Sequence, residues 1–382
     1  MSLRVCQVVA TLDIGGIERW LLNVQRYVAS RHRDDVHIDY VTLFGANGAL
    51  VPEFAAAGSE VHDAKFSWRD FSSSRNRLRE LLETGRYDVV HCHADYLGGV
   101  VLPVARAVDV PFRINHIHNT RFGFDERANR LRWMAGRLLR RRSLSSAQLH
   151  VGCSADALAA FVGADGSAVP TSVVYCGTPL QACEKWVGVA QAEARAALDL
   201  PVDVPVILHV GRHVAPKNVG FLVDAFARLR ALGVEAQLLL AGSGPLTADL
   251  AASIERQGLG SQVRLLGDRD DVPRLLRAAD LLALPSIHEG LPVAVVEAQA
   301  AGVRCLIADD VTREVEIVPG LVSRASLALG ADGWAGCLRE ELNRPSPDPV
   351  QCLAAVRRSP FDLESGSERL LEMYRQGLRS AH

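Results

Sequence analysis

The sequence predicts an α/β protein with two tandem Rossmann-like domains, each built on a parallel β-sheet. Short runs rich in Val, Ile and Leu alternate with longer amphipathic stretches along the first half of the 382 residues, and the alternation restarts after residue 200. Strands that are apolar on both faces and separated by helices are typical of parallel sheets with right-handed crossovers. Two units of about 180 residues each agree with the usual size of domains.

The predicted strands and helices follow this alternation in order. In the first half we expect strands at residues 4–10, 36–44, 87–91, 112–116 and 149–153, with helices at 17–30, 69–84, 94–108 and 124–143. In the second half we expect strands at 204–210, 236–241, 262–266, 281–284 and 304–308, with helices at 219–232, 246–257 and 292–301. Residues 178–203 are the expected connection, and the tail FDLESGSERLLEMYRQGL predicts one amphipathic helix. Since ligands bind at the carboxyl ends of parallel strands, the cleft between the domains is the expected site.

Composition and charge exclude several classes of protein. The chain has 42 basic and 44 acidic residues, so no basic excess indicates a nucleic-acid partner. Its eight cysteines show no C-x2-C pair and predict reduced, mostly buried thiols. The N-terminus lacks a signal-peptide pattern, and no apolar run reaches the ~18 residues of a spanning helix, so we expect a cytoplasmic protein. Lysine occurs only at Lys65, Lys185 and Lys217.

The most specific motif is PSIHEGLPVAVVEAQAAG, residues 285–302, in which seven residues separate Glu289 from Glu297. Pro292 suits the first turn of a helix, which places Glu297 about 12 Å along the axis from Glu289. One carboxylate can then bind sugar hydroxyls and the other ribose hydroxyls, while free helix N–H groups receive a diphosphate. Such a glutamate pair alone would indicate solvated helix positions, but the GLP segment and the small-residue helix favour a ligand site.

The second motif is HVGRHVAPKN, residues 209–218, where a predicted strand runs into a loop that carries Arg212 and Lys217. Both side chains can reach a diphosphate, Arg as a fork and Lys as a point charge. A solvated basic loop is the alternative interpretation. The rarity of lysine in this chain weakens that alternative.

Glycine turns follow other predicted strands. Gly15 and Gly16 in TLDIGGIERWLLNV let the backbone pass close to a ligand, although a plain turn is an equal interpretation because the G-x-G-x-x-G pattern is absent. The turns AGSGPL and LGDRDDVP suit a base and ribose pocket, but turns of this kind are common. Their candidate residues are Gly242, Gly267, Asp268 and Arg269.

The run RINHIHNTRF lies at the end of a predicted strand and indicates the acceptor side of the cleft. Its candidate residues are His116, His118, Asn119 and Arg121. The two histidines are two residues apart and share one face of an extended strand; satisfied histidines near a strand end are the alternative. His91 and His93 in VVHCHAD close another strand, which leaves a metal site open, although no third ligand spacing supports it.

Together these motifs resemble retaining glycosyltransferases of the GT-B family commonly called family 4, over nearly the whole chain. The Glu–x7–Glu signature is the most specific part, followed by the GR…K loop and the AGSGPL turn. The run INHIHNT, the segment LLGDRDDVPRLLRAADLLALPS and the continuation EAQAAGVRCLIADD look most like the capsular and exopolysaccharide branch.

The resemblance implies a domain arrangement and an activity. We expect an acceptor domain at residues 1–178, a nucleotide-sugar donor domain at 179–360, and a helix at 361–382 that crosses back to the first domain. The implied reaction moves a sugar from a nucleotide diphosphate sugar, expected to be a UDP-sugar, to a saccharide or lipid-linked saccharide acceptor in surface polysaccharide or glycoconjugate biosynthesis. It retains the anomeric configuration and needs no cofactor and no obligatory metal.

The resemblance also implies residue roles. Arg212 and Lys217 would bind the diphosphate, Glu297 the ribose, and His118 would lie near the reacting sugar. Glu289 would bind the sugar together with the backbone of the adjoining residues Gly290, Leu291 and Pro292.

One departure and two other activities stay open. The segment VVYCGTPL, residues 173–180, replaces the Pro-Asn-Gly-(Ile/Val)-Asp turn that is usual in the family, which puts donor identity in doubt. A nucleotide-sugar 2-epimerase of the same fold is one alternative, and a catalytically silent nucleotide-sugar-binding protein is the other. The absent glycine fingerprint disfavours a dehydrogenase.

The stretch 121–142 is strongly basic, with eight arginines against Asp125 and Glu126. Apolar residues are interleaved with the arginines: Leu131, Trp133, Met134, Leu138 and Leu139. A basic amphipathic helix of this kind can lie on the anionic inner face of a membrane and bring the site to a lipid-linked acceptor. Equally, the helix can pack its apolar side chains on the sheet and solvate its arginines.

Overall fold

The computed structural model describes residues 2–120, 130–163 and 168–381. The chain divides into two compact units, residues 1–177 with 363–382 (unit 1) and residues 178–362 (unit 2). Each unit is a parallel sheet accompanied by helices, which confirms the predicted α/β class with two parallel-sheet domains.

Unit 1 is built on seven parallel strands in the order β3-β2-β1-β4-β5-β6-β7. The strands are β1 Leu3–Val9, β2 Val36–Thr42, β3 Val61–Asp63, β4 Val89–Cys92, β5 Phe112–Ile117, β6 Leu149–Gly152 and β7 Thr171–Val173. The first six helices are α1 Gly16–Arg31, α2 Val51–Ala56, α3 Phe71–Gly85, α4 Gly98–Ala107, α5 Arg130–Ser146 and α6 Ala155–Val162. All residues of β1 except Arg4 are buried, as in a sheet covered on both faces.

Unit 2 is built on six parallel strands in the order β10-β9-β8-β11-β12-β13. The strands are β8 Val206–Val210, β9 Gln237–Ala241, β10 Val263–Gly267, β11 Leu281–Leu284, β12 Arg304–Ala308 and β13 Val322–Ala325. The helices are α7 Leu180–Val187, α8 Gln191–Ala196, α9 Val219–Ala231, α10 Thr247–Arg256, α11 Val272–Ala278, α12 Val293–Ala300, α13 Gly330–Leu342 and α14 Pro349–Arg357. The strand order steps away from β8 in both directions, so β8 and β11 end side by side at the point where ligands bind in such sheets.

The last helix, α15 (Leu363–Ala381), belongs to unit 1. Leu370, Leu371 and Tyr374 are fully buried there. Gly377 lies against the ring of Phe112 in β5, where no side chain fits. Unit 1 is therefore completed by the two ends of the chain.

Several short elements were not predicted from the sequence. β3, β7 and β13 have three or four residues each and lie at sheet edges. Runs this short hold too few residues to show a strand period.

None of the helices in the described ranges is both long and apolar enough to cross a membrane. All eight cysteines are free thiols, and seven of them are buried.

Candidate functional site

Unit 2 brings the two most specific motifs into direct contact. Lys217 lies in the loop between β8 and α9, and its Nζ donates to Glu289 Oε1 at 2.6 Å. Asn218, next to Lys217, has a left-handed backbone (φ 54°) that turns the chain into α9. The lysine side chain is 23% exposed and the glutamate side chain 10% exposed, so the pair is screened from water on most sides. Lys217 and Glu289, which are 72 positions apart in the sequence, are thus in contact in the folded unit.

Glu297 lies on α12, which follows the end of β11 through the segment that contains Glu289. No side chain caps α12 at its N-cap residue, Pro292, and the first N–H groups of a helix have no partner within the helix itself. Glu297 Oε1 accepts a hydrogen bond from Thr178 Oγ1 at 3.1 Å, and Thr178 is buried. Thr178 belongs to the segment that departs from the family pattern, so this departure supplies a hydroxyl to the predicted ribose ligand.

The two glycine turns of unit 2 adjoin the loop that follows β8. Gly242 N–H donates to the Gly267 carbonyl at 2.7 Å. Gly242 has φ +133°, and a Cβ there would collide with the Gly211 carbonyl, so only glycine allows this approach. The turns therefore flank the predicted diphosphate loop, as a nucleotide pocket requires.

The predicted polar residues around these turns differ in their surroundings. Arg212 is exposed, and no described side chain pairs with it, which leaves its guanidinium available for an anion. Arg269 instead forms a two-pronged ion pair with Asp271 at 2.7 and 2.8 Å. Asp268 accepts from Ser243 Oγ at 2.6 Å.

Three further polar residues of unit 2 were missed by the sequence reasoning. Within the described part of the chain, the buried atoms His209 Nε2, His213 Nε2 and Ser286 Oγ have no hydrogen-bond partner. His209 Nδ1 contacts the Ala283 carbonyl at 3.0 Å, and burial lowers the pKa of His209 to about 4. The ring is neutral, so its Nδ1 carries the proton and its Nε2 is an acceptor. Only the position of these residues at strand ends hinted at a role.

In unit 1, the His118 segment is anchored by a carboxylate that was also missed. Asp95 Oδ1 accepts from the His118 N–H at 2.8 Å, and Asp95 Oδ2 accepts from Asn119 Nδ2 at 2.6 Å. Burial is the main reason why the pKa of Asp95 rises to about 6, and hydrogen bonds from the backbone of His118 and from the side chain and backbone of Asn119 oppose that rise. The signal was the HAD sequence directly after β4, beside the histidines already noted. Arg121, the other residue predicted here, lies outside the described residues.

The glycine pair of unit 1 begins a helix. Gly15 is the N-cap of α1 and Gly16 its first residue, and no side chain caps the helix. A Cβ on Gly16 would meet no atom within 4 Å, whereas one on Gly15 would collide with the flexible end of Glu18. The packing of unit 1 thus leaves open space at Gly16, and the role of the pair in donor binding stays a prediction.

Four histidines meet at the ends of β4 and β5. His116 is fully buried and His118 is 5% exposed, and the rings of the two stack with centroids 4.1 Å apart. His91 and His93 lie against them. One nitrogen from each of His91, His93 and His116 falls within 4.8 Å of the others, a spacing that three metal ligands can adopt. Both ring nitrogens of His91 and His93 and Nδ1 of His116 lie within hydrogen-bond distance of polar neighbours, whereas the buried His116 Nε2 has no hydrogen-bond partner among the described residues.

Comparison with known proteins agrees with these two units. The family described as "Glycosyl transferase 4-like domain" matches residues 15–177, and the family described as "Glycosyl transferases group 1" matches residues 190–322. "Putative glycosyltransferase EpsF" of Bacillus subtilis (strain 168) is 29% identical over 384 residues, which cover 99% of this chain and 98% of that protein.

Other relatives and solved structures agree. "UDP-Gal:alpha-D-GlcNAc-diphosphoundecaprenol alpha-1,3-galactosyltransferase" of Escherichia coli is 25% identical over 249 residues, covering 61% of this chain and 60% of that protein. The crystal structure of Anabaena Alr3699/HepE in complex with UDP and glucose matches with a TM-score of 0.78 at 18% identity, covering 98% of this chain and all of that one. WaaG, a glycosyltransferase involved in lipopolysaccharide biosynthesis, matches with a TM-score of 0.74 at 17% identity, over 97% and 99% of the two chains.

The paired motifs of unit 2, the histidine-bearing strand ends of unit 1 and the two family matches point to one class of enzyme. The alternatives of an epimerase or a silent binding protein have no such support. The chain belongs to the GT-B glycosyltransferases, with a 4-like first domain and a group 1 second domain.

Proposed function

We propose that this enzyme transfers a sugar from a nucleotide diphosphate sugar, with UDP as the nucleotide, to a saccharide or lipid-linked saccharide acceptor in surface polysaccharide or glycoconjugate biosynthesis. Unit 2 binds the donor and unit 1 binds the acceptor. Solved relatives of the same fold bind UDP, and the Escherichia coli relative is named for a UDP-galactose donor and a diphosphoundecaprenol-linked acceptor.

The observation that carries this proposal is the contact between Lys217 and Glu289. The lysine ammonium, the exposed Arg212 and the start of α12, which has no side-chain cap, would together supply positive potential to a bound diphosphate. A diphosphate in that position would be stabilised as negative charge develops on the leaving group. Glu289 at the same position can accept hydrogen bonds from the sugar hydroxyls of the donor.

The test combines a panel of nucleotide sugars with one matched pair of lysine variants. Lys217→Ala and Arg212→Ala should each lower transfer by about 10- to 150-fold, the value of a charged hydrogen bond to a buried phosphate. Lys185→Ala is the control, because Lys185 is exposed on α7 of the same unit. Wild-type donor affinity and turnover in Lys217→Ala and Arg212→Ala would refute the donor site.

We also propose that the anomeric configuration is retained and that no metal is required. The bond from the anomeric carbon to the diphosphate oxygen breaks, the bond to the acceptor oxygen forms on the same face, and the leaving phosphate takes the acceptor proton. Product anomers read by NMR test the first statement. Activity that is lost in chelator and restored by magnesium or manganese would contradict the second.

A second proposal concerns a membrane surface and rests on α5. Leu131, Met134 and Leu138 recur at helical spacing and are 79%, 59% and 58% exposed. The buried side of α5 consists instead of Gly136, Leu139, Ser143 and Ser146. One of the two sequence interpretations expected the large apolar side chains of this helix to pack on the sheet. The structure instead leaves the stripe of Leu131, Met134 and Leu138 exposed. We propose that this stripe enters the cytoplasmic leaflet, with flanking arginines on anionic lipid headgroups.

The arginines of α5 do not all serve this surface. Arg140 donates to the carbonyls of Phe161 and Val162 and so satisfies the end of α6. Arg137 lies over the ring of Trp133 at 4.8 Å, and Arg141 and Arg142 are exposed. A membrane test should spare Arg140, since its loss would disturb unit 1.

Co-sedimentation with vesicles tests the membrane proposal. A variant with Glu at positions 137, 141 and 142 should lose binding to anionic vesicles. Each lost arginine removes about 1 kcal/mol of binding free energy, and each new glutamate adds repulsion from the anionic lipid. The control carries the same charge change at exposed arginines on other helices, Arg75, Arg256 and Arg339. Equal binding of wild type to neutral and anionic vesicles, or unchanged binding of the α5 variant, would refute the proposal.

A further inference from the structure

The four histidines at the ends of β4 and β5 form two hydrogen-bonded pairs. His91 Nε2 lies 3.1 Å from His116 Nδ1, and His93 Nδ1 lies 2.9 Å from His118 Nε2. The pairs arise because histidines two residues apart share one face of a strand, and β4 and β5 are neighbours in the sheet. All four rings are at most 5% exposed, so water does not compete for these contacts.

Each pair is bonded at one end to a residue from another element: the first pair to Tyr374 of α15 and the second pair to Gln7 of β1. His91 Nδ1 is 2.7 Å from the Tyr374 hydroxyl, and His93 Nε2 is 2.7 Å from Gln7 Oε1. Gln7 Nε2 donates to the Tyr374 hydroxyl oxygen at 2.9 Å and joins the two halves. The result is one unbranched chain of six groups, which we call the histidine chain. Its members in order are His118, His93, Gln7, Tyr374, His91 and His116.

The amide of Gln7 sets the direction of every bond in the histidine chain. Because the Tyr374 oxygen accepts from Gln7, its proton goes to His91 Nδ1, and His91 then donates from Nε2 to His116. On the other side the Gln7 oxygen accepts from His93 Nε2, whose Nδ1 must accept from His118. Each neutral imidazole has one donor and one acceptor, so all four rings carry the proton on Nε2.

The surroundings keep these rings neutral. Burial is the main cause that lowers the pKa of all four histidines, that of His118 to about 3. Burial likewise raises the pKa of Tyr374, so its hydroxyl keeps its proton. Among the described residues, the buried Nε2 of His116 has no hydrogen-bond partner, so the histidine chain ends there.

We propose that Gln7 and Tyr374 are positioning residues that hold His118 in the Nε2–H tautomer. In this tautomer Nδ1 of His118 can accept a hydrogen bond from a hydroxyl group of the donor sugar or of the acceptor substrate. This inference rests on the proposed function only for the role of His118 beside the reacting sugar. Were the Gln7 amide reversed, every bond in the histidine chain would reverse, and Nδ1 of His118 would become a donor. Tyr374 thus couples the last helix of the chain to the chemistry of His118, the residue directly after β5.

A metal site on the same histidines is the competing interpretation. His91 and His93 each use both ring nitrogens in the histidine chain, so three lone pairs cannot converge on an ion unless these bonds break. The Tyr374 hydroxyl satisfies His91 Nδ1 and the Gln7 amide satisfies His93 Nε2 without an ion, and only His116 Nε2 is without a partner among the described atoms of these three rings. The geometry therefore favours the hydrogen-bonded chain.

NMR of the full-length protein labelled with ¹⁵N in its histidine rings tests the proposal directly. Long-range ¹H–¹⁵N correlations should show Nε2–H tautomers for His91, His93, His116 and His118. In Gln7→Glu the carboxylate accepts from both neighbours, so His91 and His116 should switch to Nδ1–H while His93 and His118 keep Nε2–H. This half-reversal is not expected from a merely structural role.

Tyr374→Phe removes the central donor of the histidine chain. The Gln7 amide then loses its preferred orientation, so His118 should show a mixture of tautomers, and kcat should fall about 2- to 10-fold with the donor KM unchanged. The control is Tyr27→Phe, which removes a hydroxyl that also reaches α15, at Glu368, but lies outside the histidine chain. Tyr27→Phe should leave all four tautomers as in wild type.

Three outcomes would overturn the proposal: Nδ1–H or mixed tautomers in the wild-type protein, unchanged tautomers in both Gln7→Glu and Tyr374→Phe, or stoichiometric binding of Co²⁺ that His91→Ala abolishes. The NMR measurement does not depend on turnover. A protein that shows the predicted tautomers but transfers no sugar would refute the proposed function and leave the histidine chain standing.

Discussion

At the scale of single residues, the two carboxylates of the proposed donor site have different neighbours. Glu289 contacts Lys217, a residue that would bind the leaving diphosphate, whereas Glu297 contacts the hydroxyl of Thr178. Glu289 is therefore expected to interact with charge that develops during sugar transfer. Glu297 is expected to bind the ribose, a contact that is equally strong before and during sugar transfer.

We therefore predict different kinetic effects for the two glutamates. Glu289→Ala should mainly lower kcat, because contacts to the sugar strengthen as charge develops, and Glu297→Ala should mainly raise the donor KM. Thr178→Val should show a weaker form of the Glu297→Ala effect, since it removes one hydrogen bond to that carboxylate. Steady-state kinetics with varied donor measures all three, and reversed signatures would show that sugar and ribose lie the other way along α12.

Asp95 predicts a dependence on pH. Its pKa is about 6 in the folded protein and 3.8 without the fold, so the folded state binds this proton more tightly. The stabilising contribution is therefore complete below about pH 4 and is lost as the pH rises through 6. Ionised Asp95 is the stronger acceptor for the His118 N–H and the Asn119 amide, so activity should rise over the same interval.

The measurement compares wild type with Asp95→Asn. Wild-type kcat/KM should show an acid limb near pH 6 that the variant lacks, and the stability of wild type relative to the variant should fall between pH 4 and 6. Asp70→Asn, at an exposed position before α3, is the control and should keep the limb. An unchanged limb in Asp95→Asn would assign it to another group.

At the scale of elements, α4 and α5 pack closely because small residues line their contact. A Cβ on Gly98 would collide with Asn115 and Ser143, and one on Gly99 would collide with the backbone of Leu139. Helix patterns in the sequence located α4 and the end of α5 within a few residues, whereas the predicted start of the second helix at residue 124 lies outside the described residues. They did not reveal which side of α5 is buried, because small residues occupy the buried side and large apolar residues the exposed one.

We predict that Gly99→Ala destabilises the protein by about 1–3 kcal/mol, the usual effect of overpacking. Gly336→Ala in α13 is the matched control, since a Cβ there meets no atom within 4 Å. It should raise stability by up to ~1 kcal/mol through better helix propensity. Urea unfolding measures both, and equal stability of Gly99→Ala and wild type would contradict the close contact of α4 with α5.

At the scale of the whole molecule, unit 1 contains both ends of the chain. Helix α15 supplies Leu370, Leu371 and Tyr374 to its interior. Each buried leucine contributes about 1.5–3 kcal/mol, so the helix is a large share of the stability of unit 1.

We predict that a chain ending at Asp362 loses the fold of unit 1 and keeps that of unit 2. Hydrogen exchange read by mass spectrometry should show lost protection across β1, β4 and β5, with protection of β8 and β11 unchanged. A chain ending at Arg379 should behave as wild type, because the one side chain it removes from the described set is that of the exposed Ser380. Equal protection of unit 1 in the two truncated chains would show that α15 is dispensable.

Features that depend on neighbours along the chain could be predicted from the amino-acid sequence alone. Apolar runs and amphipathic stretches specify strands and helices locally, and their alternation specifies parallel sheets, so motifs after strands had to lie at carboxyl ends. Glu289, Lys217 and His118 were predicted as site residues in this way.

Only the tertiary structure decided which distant residues meet. Gln7 and Tyr374 are 367 positions apart, and no periodicity connects them. The same holds for Thr178 with Glu297, 119 positions apart, and for Asp95 with the His118 segment. A hydrogen bond across two elements depends on their packing and register, which are set by burial of the whole core. The tautomer of His118 is therefore a property of the folded unit, although every residue that sets it stands in the sequence.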